Sequence, residues 1–465
     1  MPGTVDDRTR ALADRVGRID GGALSQRDLD QIELLLIDHL GVCLQGARLP
    51  WGAGLADWAR SCDGTGACPV VGTGLKVPAR IAALVNATAA HGLEFDDTHD
   101  ASVSHPGAVV IATALAVGAE ERAHGRDIAA AIVAGYEAMA RCGMATGADT
   151  VIERGFHPTA LFGGFGAAST AARLRGMDRD ALIAAWGLLL SMVSGSMQFS
   201  EESTGTTVKR LHAGYAAHNG VLATELAAHG LAGPSRALDG RYGLCRLFGK
   251  TPDLDHLEGE GDGFAIHHIS LKPYPCCRLF HSAIDALEEA TGGFTCDPED
   301  IAEIVVGGPA ILVDQHMMRR PASMMAAQYA LPYTLAAALV DDPRDPAAFA
   351  PERLGDARRL ALADRVEAVL DAEMEAAFPD HFGCRVTVRF RNGESACVRV
   401  LDSRGTPARP LTPAEVAAKF TTLMAAAGRA DDADRALDRI HGFHARAGAA
   451  DILDAFTQNP QGGRS

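Results

Sequence analysis

From Ser25 onward the chain repeats one pattern, apolar residues at helical spacing broken by short polar punctuation, which predicts a succession of amphipathic helices. Ser25-Gln-Arg-Asp28 has the form of a helix start, a hydroxyl at the cap with an acid three residues on. It leads into Leu29, Ile32, Leu36, Leu40 and Cys43 on one face. Further starts fall at Asp127 and Asp178. Segments 108–119, 129–140 and 164–172 are so rich in Ala and Gly that their helices can approach closely and be buried nearly all round. The longest apolar stretch, around Ala185 to Met197, is short of the ~20 unbroken apolar residues of a membrane span and reads as a buried helix.

After about Gly263 the texture changes. Ile304 to Gly307 and Cys384 to Phe390 read as strands, the second alternating apolar and polar. Arg391-Asn-Gly-Glu394 predicts a hairpin turn into Ala396 to Leu401. Ser282 to Ala290 and Ala326 to Leu339 read as helices, and helical texture returns from Thr412. The expected fold is therefore mainly α: a large all-α domain made of residues 1–263 and 408–465, with a smaller α+β domain, 264–407, inserted between. There is no internal repeat, and the tail Gln461 to Ser465 reads as disordered.

At 465 residues two domains are the natural expectation, and 47% hydrophobic with 22% charged residues leaves little room for long disorder. The net charge of −16 argues against nucleic acid or an anionic membrane as partner, so an anionic substrate must meet locally placed cations. Lysine is scarce, which draws attention to Lys209 and Lys272. Ten cysteines without a CxxC pair, and a Met1-Pro-Gly start with no apolar core behind it, point to a cytoplasmic protein.

The densest polar cluster is His91-Gly-Leu-Glu-Phe-Asp-Asp-Thr-His-Asp100, followed by Ser104-His-Pro-Gly107, set between nearly apolar helices. Charges in such a setting need partners or a task. His105-Pro106 and His157-Pro158 each place an imidazole before a proline at a helix start, where free N–H groups and the positive dipole end favour a neutral imidazole and a nearby anion. Lys209-Arg-Leu-His-Ala-Gly214 follows a polar run, and Lys272-Pro-Tyr-Pro275 follows a short apolar strand. Together the two lysines supply the positive charge that a polycarboxylate requires.

These segments resemble the MmgE/PrpD family, which includes 2-methylcitrate dehydratase, cis-aconitate decarboxylase and iminodisuccinate epimerase. The anchors are Glu94-Phe-Asp-Asp-Thr98, Ser104-His-Pro-Gly107, Gly155-Phe-His-Pro158, Lys209-Arg-Leu-His-Ala-Gly214 and Ile269-Ser-Leu-Lys-Pro-Tyr274, spread over nearly the whole chain. The resemblance implies a helical domain with the inserted unit as a lid, a pocket between them, and a homodimer that uses no metal or organic cofactor. It assigns catalytic roles to His105, His157 and Lys272 and substrate binding to Glu94, Thr98, Lys209, His212 and Tyr333. Either lysine is expected to be removable without loss of the fold. Three departures stand out. Glu94 falls where the decarboxylase has aspartate, the stretch from Thr98 to His105 is one residue longer, and Cys276-Cys277 follows Lys272 where some relatives have histidine.

The chemistry expected is proton transfer at a carbon next to a carboxylate, with histidine as acid or base and lysine stabilising the developing charge. A 2-methylcitrate dehydratase-like reaction leads, with decarboxylation and epimerisation as alternatives. Asp96-Asp-Thr-His-Asp100 and Asp341-Asp-Pro-Arg-Asp345 also match the DDxxD pattern of magnesium-dependent isoprenoid synthases, but proline interrupts the second and aromatics total only 5%. A metal hydrolase on His91, His99 and His105 is disfavoured because spacings of eight and six do not share a helical face. A relative that binds a metabolite without catalysis would not need both His-Pro units and both lysines.

Overall fold

A computed structural model describes residues 7–62, 66–202, 206–259, 263–446 and 448–457. The tail Gln461–Ser465 and the Met1-Pro-Gly start lie outside the described residues.

The protein is mainly α with a small mixed sheet. The helix Gln26–Ala47 begins as its sequence requires: the Ser25 hydroxyl accepts from the Asp28 N–H at 3.2 Å while the Asp28 carboxylate accepts from the Ser25 N–H at 2.9 Å. Its expected face, from Leu29 to Cys43, is buried. The Ala/Gly-rich helices Pro106–Glu120, Gly125–Thr146, Pro158–Leu174 and Val208–Ala228 form the centre. A Cβ on Gly220 would come within 2.5 Å of Ala167 Cβ and 2.7 Å of the Gly164 carbonyl, so glycine is what lets the last two touch. Gly125–Thr146, at 22 residues, is among the described residues the one helix long and apolar enough to cross a membrane, but 94% of its apolar window is buried inside the protein.

One large core collects apolar residues from Leu12 to Leu271 and again from Val416 to Phe456; a second runs from Tyr274 to Val400. The second core contains a four-stranded sheet in the order Val366–Leu370, Ile301–Gly308, Cys384–Phe390, Ser395–Val400. The first pair is parallel and the other two are antiparallel. Gly393, at φ +92°, closes the Asn-Gly turn. The edge strand Val366–Leu370 was not expected from its sequence, being short and carrying a glutamate.

Two helix expectations change. The helix from Arg179 stops at Leu189 instead of running to Met197. Ser194-Gly-Ser196 turns the chain, with Gly195 at φ +122° offering its carbonyl to the His157 N–H at 2.8 Å. The stretch 326–339 is two helices, Met324–Gln328 and Leu331–Val340. Pro332 has no N–H to donate to a preceding turn and fits only the first turn of a helix, so a new helix starts at Leu331 and the chain bends through the extended Ala330. Helix Pro413–Ala426 packs back on Gln26–Ala47, and its Lys419 reaches beneath the site.

Candidate active site

Residues 91–98 leave the end of helix Ala79–Ala90 as a short irregular crossing in which nearly every side chain is buried. Glu94 sits at φ +53°, a left-handed conformation that costs a non-glycine residue on the order of 1–3 kcal/mol. Three cationic or hydroxyl partners offset that strain. Its carboxylate is ion-paired with Lys209, accepts from the Tyr329 hydroxyl at 2.9 Å, and lies 3.7 Å from the Lys272 ammonium, which donates to the Glu94 carbonyl at 3.2 Å. Burial opposes its ionisation, but Lys209 and Lys272 hold it well below the usual carboxylate range.

Beside these charges stand four imidazoles. Ring centroids of His91 and His105 are 5.0 Å apart, His91 and His157 5.7 Å, and His157 and His212 5.1 Å. Neither His105 nor His157 caps the helix it precedes. The cap of Pro106–Glu120 is supplied by Asp97, whose carboxylate accepts from the Gly107 N–H at 2.8 Å and from the Tyr136 hydroxyl at 2.7 Å. A Cβ at Gly107 would sit 2.8 Å from both the Asp97 carboxylate and the Tyr136 hydroxyl, which is why glycine follows His-Pro here. Freed from capping, His105 donates from Nδ1 to the Asp97 carbonyl at 2.8 Å, leaving Nε2 as the basic nitrogen. His157 and His212 share a proton between their Nδ1 atoms at 3.0 Å.

Burial favours the neutral form of three of these rings. It pushes His105 down to about 3 and His212 to about 4, and lowers His157 well below the ordinary histidine range. Burial would raise Asp96, but His105 and His91 hold it well below the usual range. Counting His39, His99, His281 and His316, seven histidines are depressed, against two acids, Asp38 and Asp97, that burial raises. The unfolded chain takes up protons at the ordinary histidine value of 6.5, whereas in the fold His39, His99 and His212 resist until about 4 and His105 until about 3, so stability falls as pH drops through that window. The expected outcome is a melting temperature that declines steadily from pH 6.5 to pH 4.5. A flat profile would mean that these rings are protonated in the fold.

Three buried polar atoms in this crossing, His91 Nε2, Asp96 Oδ1 and Thr98 Oγ1, have no hydrogen-bond partner among the described residues. Such orphans are rare in interiors and call for a bound partner. One ligand atom each from His91, Asp96 and His105 lie within 4.8 Å of one another, a spacing that also suits a metal ion. The underside is braced by Lys419, which donates to Asp38 at 2.6 Å and to the carbonyls of Phe95 and Lys272 at 2.7 and 3.0 Å, tying the two site segments together.

Of the residues expected here, the fold brings together Glu94, Thr98, His105, His157, Lys209, His212 and Lys272. Tyr333 lies elsewhere: its hydroxyl donates to the Arg353 carbonyl and accepts from Arg359, both at 3.1 Å, in the second core. Tyr329, one turn earlier, faces Glu94 instead because the chain bends at Ala330. Sequence reading also passed over Asp97, Lys419 and Gln328, whose amide donates to the Leu93 and Pro275 carbonyls at 2.7 and 2.9 Å; a lysine between Val416 and Phe420 on an apolar face was the available signal for Lys419. Burial pushes the Cys277 thiol up to about 11.

The rival motifs come apart. Asp96 turns to the histidines, Asp97 to Tyr136, and Asp100 to Arg278 and Ser270, so the DDxxD carboxylates do not converge on one ion. Asp341 pairs with Arg359 in the second core. His99 donates to or accepts from Ser102 and lines a separate cavity of about 620 Å³ with Asp100, His268 and Arg278, which none of the four clustered imidazoles lines.

Two family models match the chain, described as the MmgE/PrpD N-terminal domain over residues 10–257 and the MmgE/PrpD C-terminal domain over residues 274–441. Among curated proteins the chain is 27% identical to a cis-aconitate decarboxylase of Aspergillus terreus, over 88% of this chain and 86% of that one. It is 26% identical to the cis-aconitate decarboxylase-like protein oryM of Aspergillus oryzae (91% and 92% covered). A human cis-aconitate decarboxylase is 24% identical, with 89% and 86% covered.

Proposed function

The chain belongs to the MmgE/PrpD family, and from that premise we propose that this enzyme is a lyase that decarboxylates cis-aconitate or a close tricarboxylate analogue. The observation that carries the reading is the buried meeting of two ammonium groups, Lys209 and Lys272, with neutral imidazoles beside unpartnered polar atoms. The relatives' shared name moves the balance from the dehydratase-like reaction expected from sequence to decarboxylation.

Substrate carboxylates take over the lysines from Glu94 in part. A trianion among neutral rings favours imidazolium, so one proton enters with it. The C–C bond to one carboxylate breaks, CO2 leaves, and the electron pair stays on carbon conjugated with a remaining carboxylate, where Lys209 and Lys272 offset the charge. His105 then gives its Nε2 proton to carbon. Trianion plus one proton becomes dianion plus CO2, and the charges balance.

The test is proton NMR in deuterium oxide with cis-aconitate, 2-methylcitrate, citrate and both iminodisuccinate enantiomers. The expected result is CO2 release from cis-aconitate with one deuterium in the product, unchanged by exhaustive chelation because the chemistry is acid–base. Loss of water without CO2 would replace decarboxylation with dehydration, and deuterium exchange without turnover would mark an epimerase. Magnesium-dependent release of diphosphate from a prenyl diphosphate would overturn the family chemistry for this chain.

A further inference from the structure

Proton transfer by His105 leaves His91 and one oxygen of Asp96 without a task. His91 is completely buried, and among the described residues neither its Nε2 nor Asp96 Oδ1 has a hydrogen-bond partner. Asp96 Oδ2 lies 2.7 Å from His91 Nδ1 and 3.6 Å from His105 Nδ1, and one ligand atom from each residue falls within 4.8 Å of the others. Ligand atoms around a tetrahedral ion with bonds of about 2.0–2.1 Å stand roughly 3.4 Å apart, so small side-chain shifts would complete the geometry.

We propose that His91, Asp96 and His105 form an inhibitory site for a divalent transition-metal ion of the zinc class. Two imidazoles and one carboxylate are a ligand set such ions favour, while calcium and magnesium prefer oxygen alone. The ammonium groups of Lys209 and Lys272 do not forbid a cation, because the Glu94 carboxylate lies against both and the Asp96 carboxylate balances the second charge. Coordination through His105 Nδ1 costs its bond to the Asp97 carbonyl and puts the ion in place of the Nδ1 proton, so the imidazolium that would protonate carbon does not form. The ion therefore competes with catalysis. The inhibitory half rests on the reading of His105 as the proton-transfer group; the binding half does not.

Full-length wild-type protein titrated with cobalt(II), followed by displacement with zinc(II), tests both halves. One ion per chain is expected, with visible ligand-field absorption and no intense near-ultraviolet thiolate band, and activity on cis-aconitate falling with the same stoichiometry and returning on chelation. His91→Gln and Asp96→Asn should each lose more affinity than the roughly 10- to 100-fold cost of removing an outer-shell partner. A thiolate band would move the site to the buried pair Cys276 and Cys277 and overturn the assignment. So would absence of binding to wild type, or binding undiminished in both variants. Stoichiometric binding with full activity would overturn the inhibitory half. The wild-type spectrum needs no variant to fold and no substrate, so failure of the decarboxylase reading and failure of the metal site are separately visible.

Discussion

Replacing His105 with glutamine lowers turnover by about 10²–10⁴-fold, the usual contribution of a positioned general acid or base. The melting temperature changes little. His105 makes no cap bond to the helix it precedes, so the structural loss is its single hydrogen bond to the Asp97 carbonyl, about 1 kcal/mol net. A helix-capping histidine would behave in the opposite way, with stability lost and catalysis kept. Turnover and thermal melting measured on one preparation separate the two, and a destabilised but fully active variant would remove His105 from the chemistry.

Lys209→Met produces the largest loss of stability among the site variants, together with loss of activity. From sequence alone this lysine looked removable, but the fold buries it in an ion pair with Glu94 and rests its ammonium 5.3 Å from the centre of the Tyr329 ring. Breaking a buried pair by removing one partner leaves a charge unpaid, typically about 3–5 kcal/mol. Lys272, 3.7 Å from the same carboxylate, brings the expected cost to the low end, about 3 kcal/mol. Removing Lys272 as well should deepen the loss, because the buried Glu94 carboxylate then loses both of its ammonium partners. Chemical denaturation of wild type, Lys209→Met and the Lys209→Met/Lys272→Met double variant checks this; a double variant no less stable than the single would show that the loss is packing and not charge.

The histidines and lysines that meet in the buried cluster were legible because rare polar residue types stand there in apolar surroundings. His105, His157, Lys209 and Lys272 each stand out against helices of Ala, Gly and Leu. The sheet was legible where alternation and an Asn-Gly turn announced it, at Cys384–Phe390 and Ser395–Val400, and not at the short edge strand Val366–Leu370.

What the chain determined by itself is therefore its local grammar: where helices start, where glycine permits close packing, and which side chains are too polar to be buried idly. Tertiary structure alone decided partners. Tyr329 reached the site in place of Tyr333 because a proline broke one helix into two, a change of direction that spacing cannot reveal. Lys419 lies 147 residues beyond Lys272 in the chain yet donates to its carbonyl, a contact made only once the last helices fold back. Whether a buried ammonium is a mobile binding group or a neutralised structural one depends on which carboxylate stands within 4 Å of it, and distance across the fold is what a linear pattern does not contain.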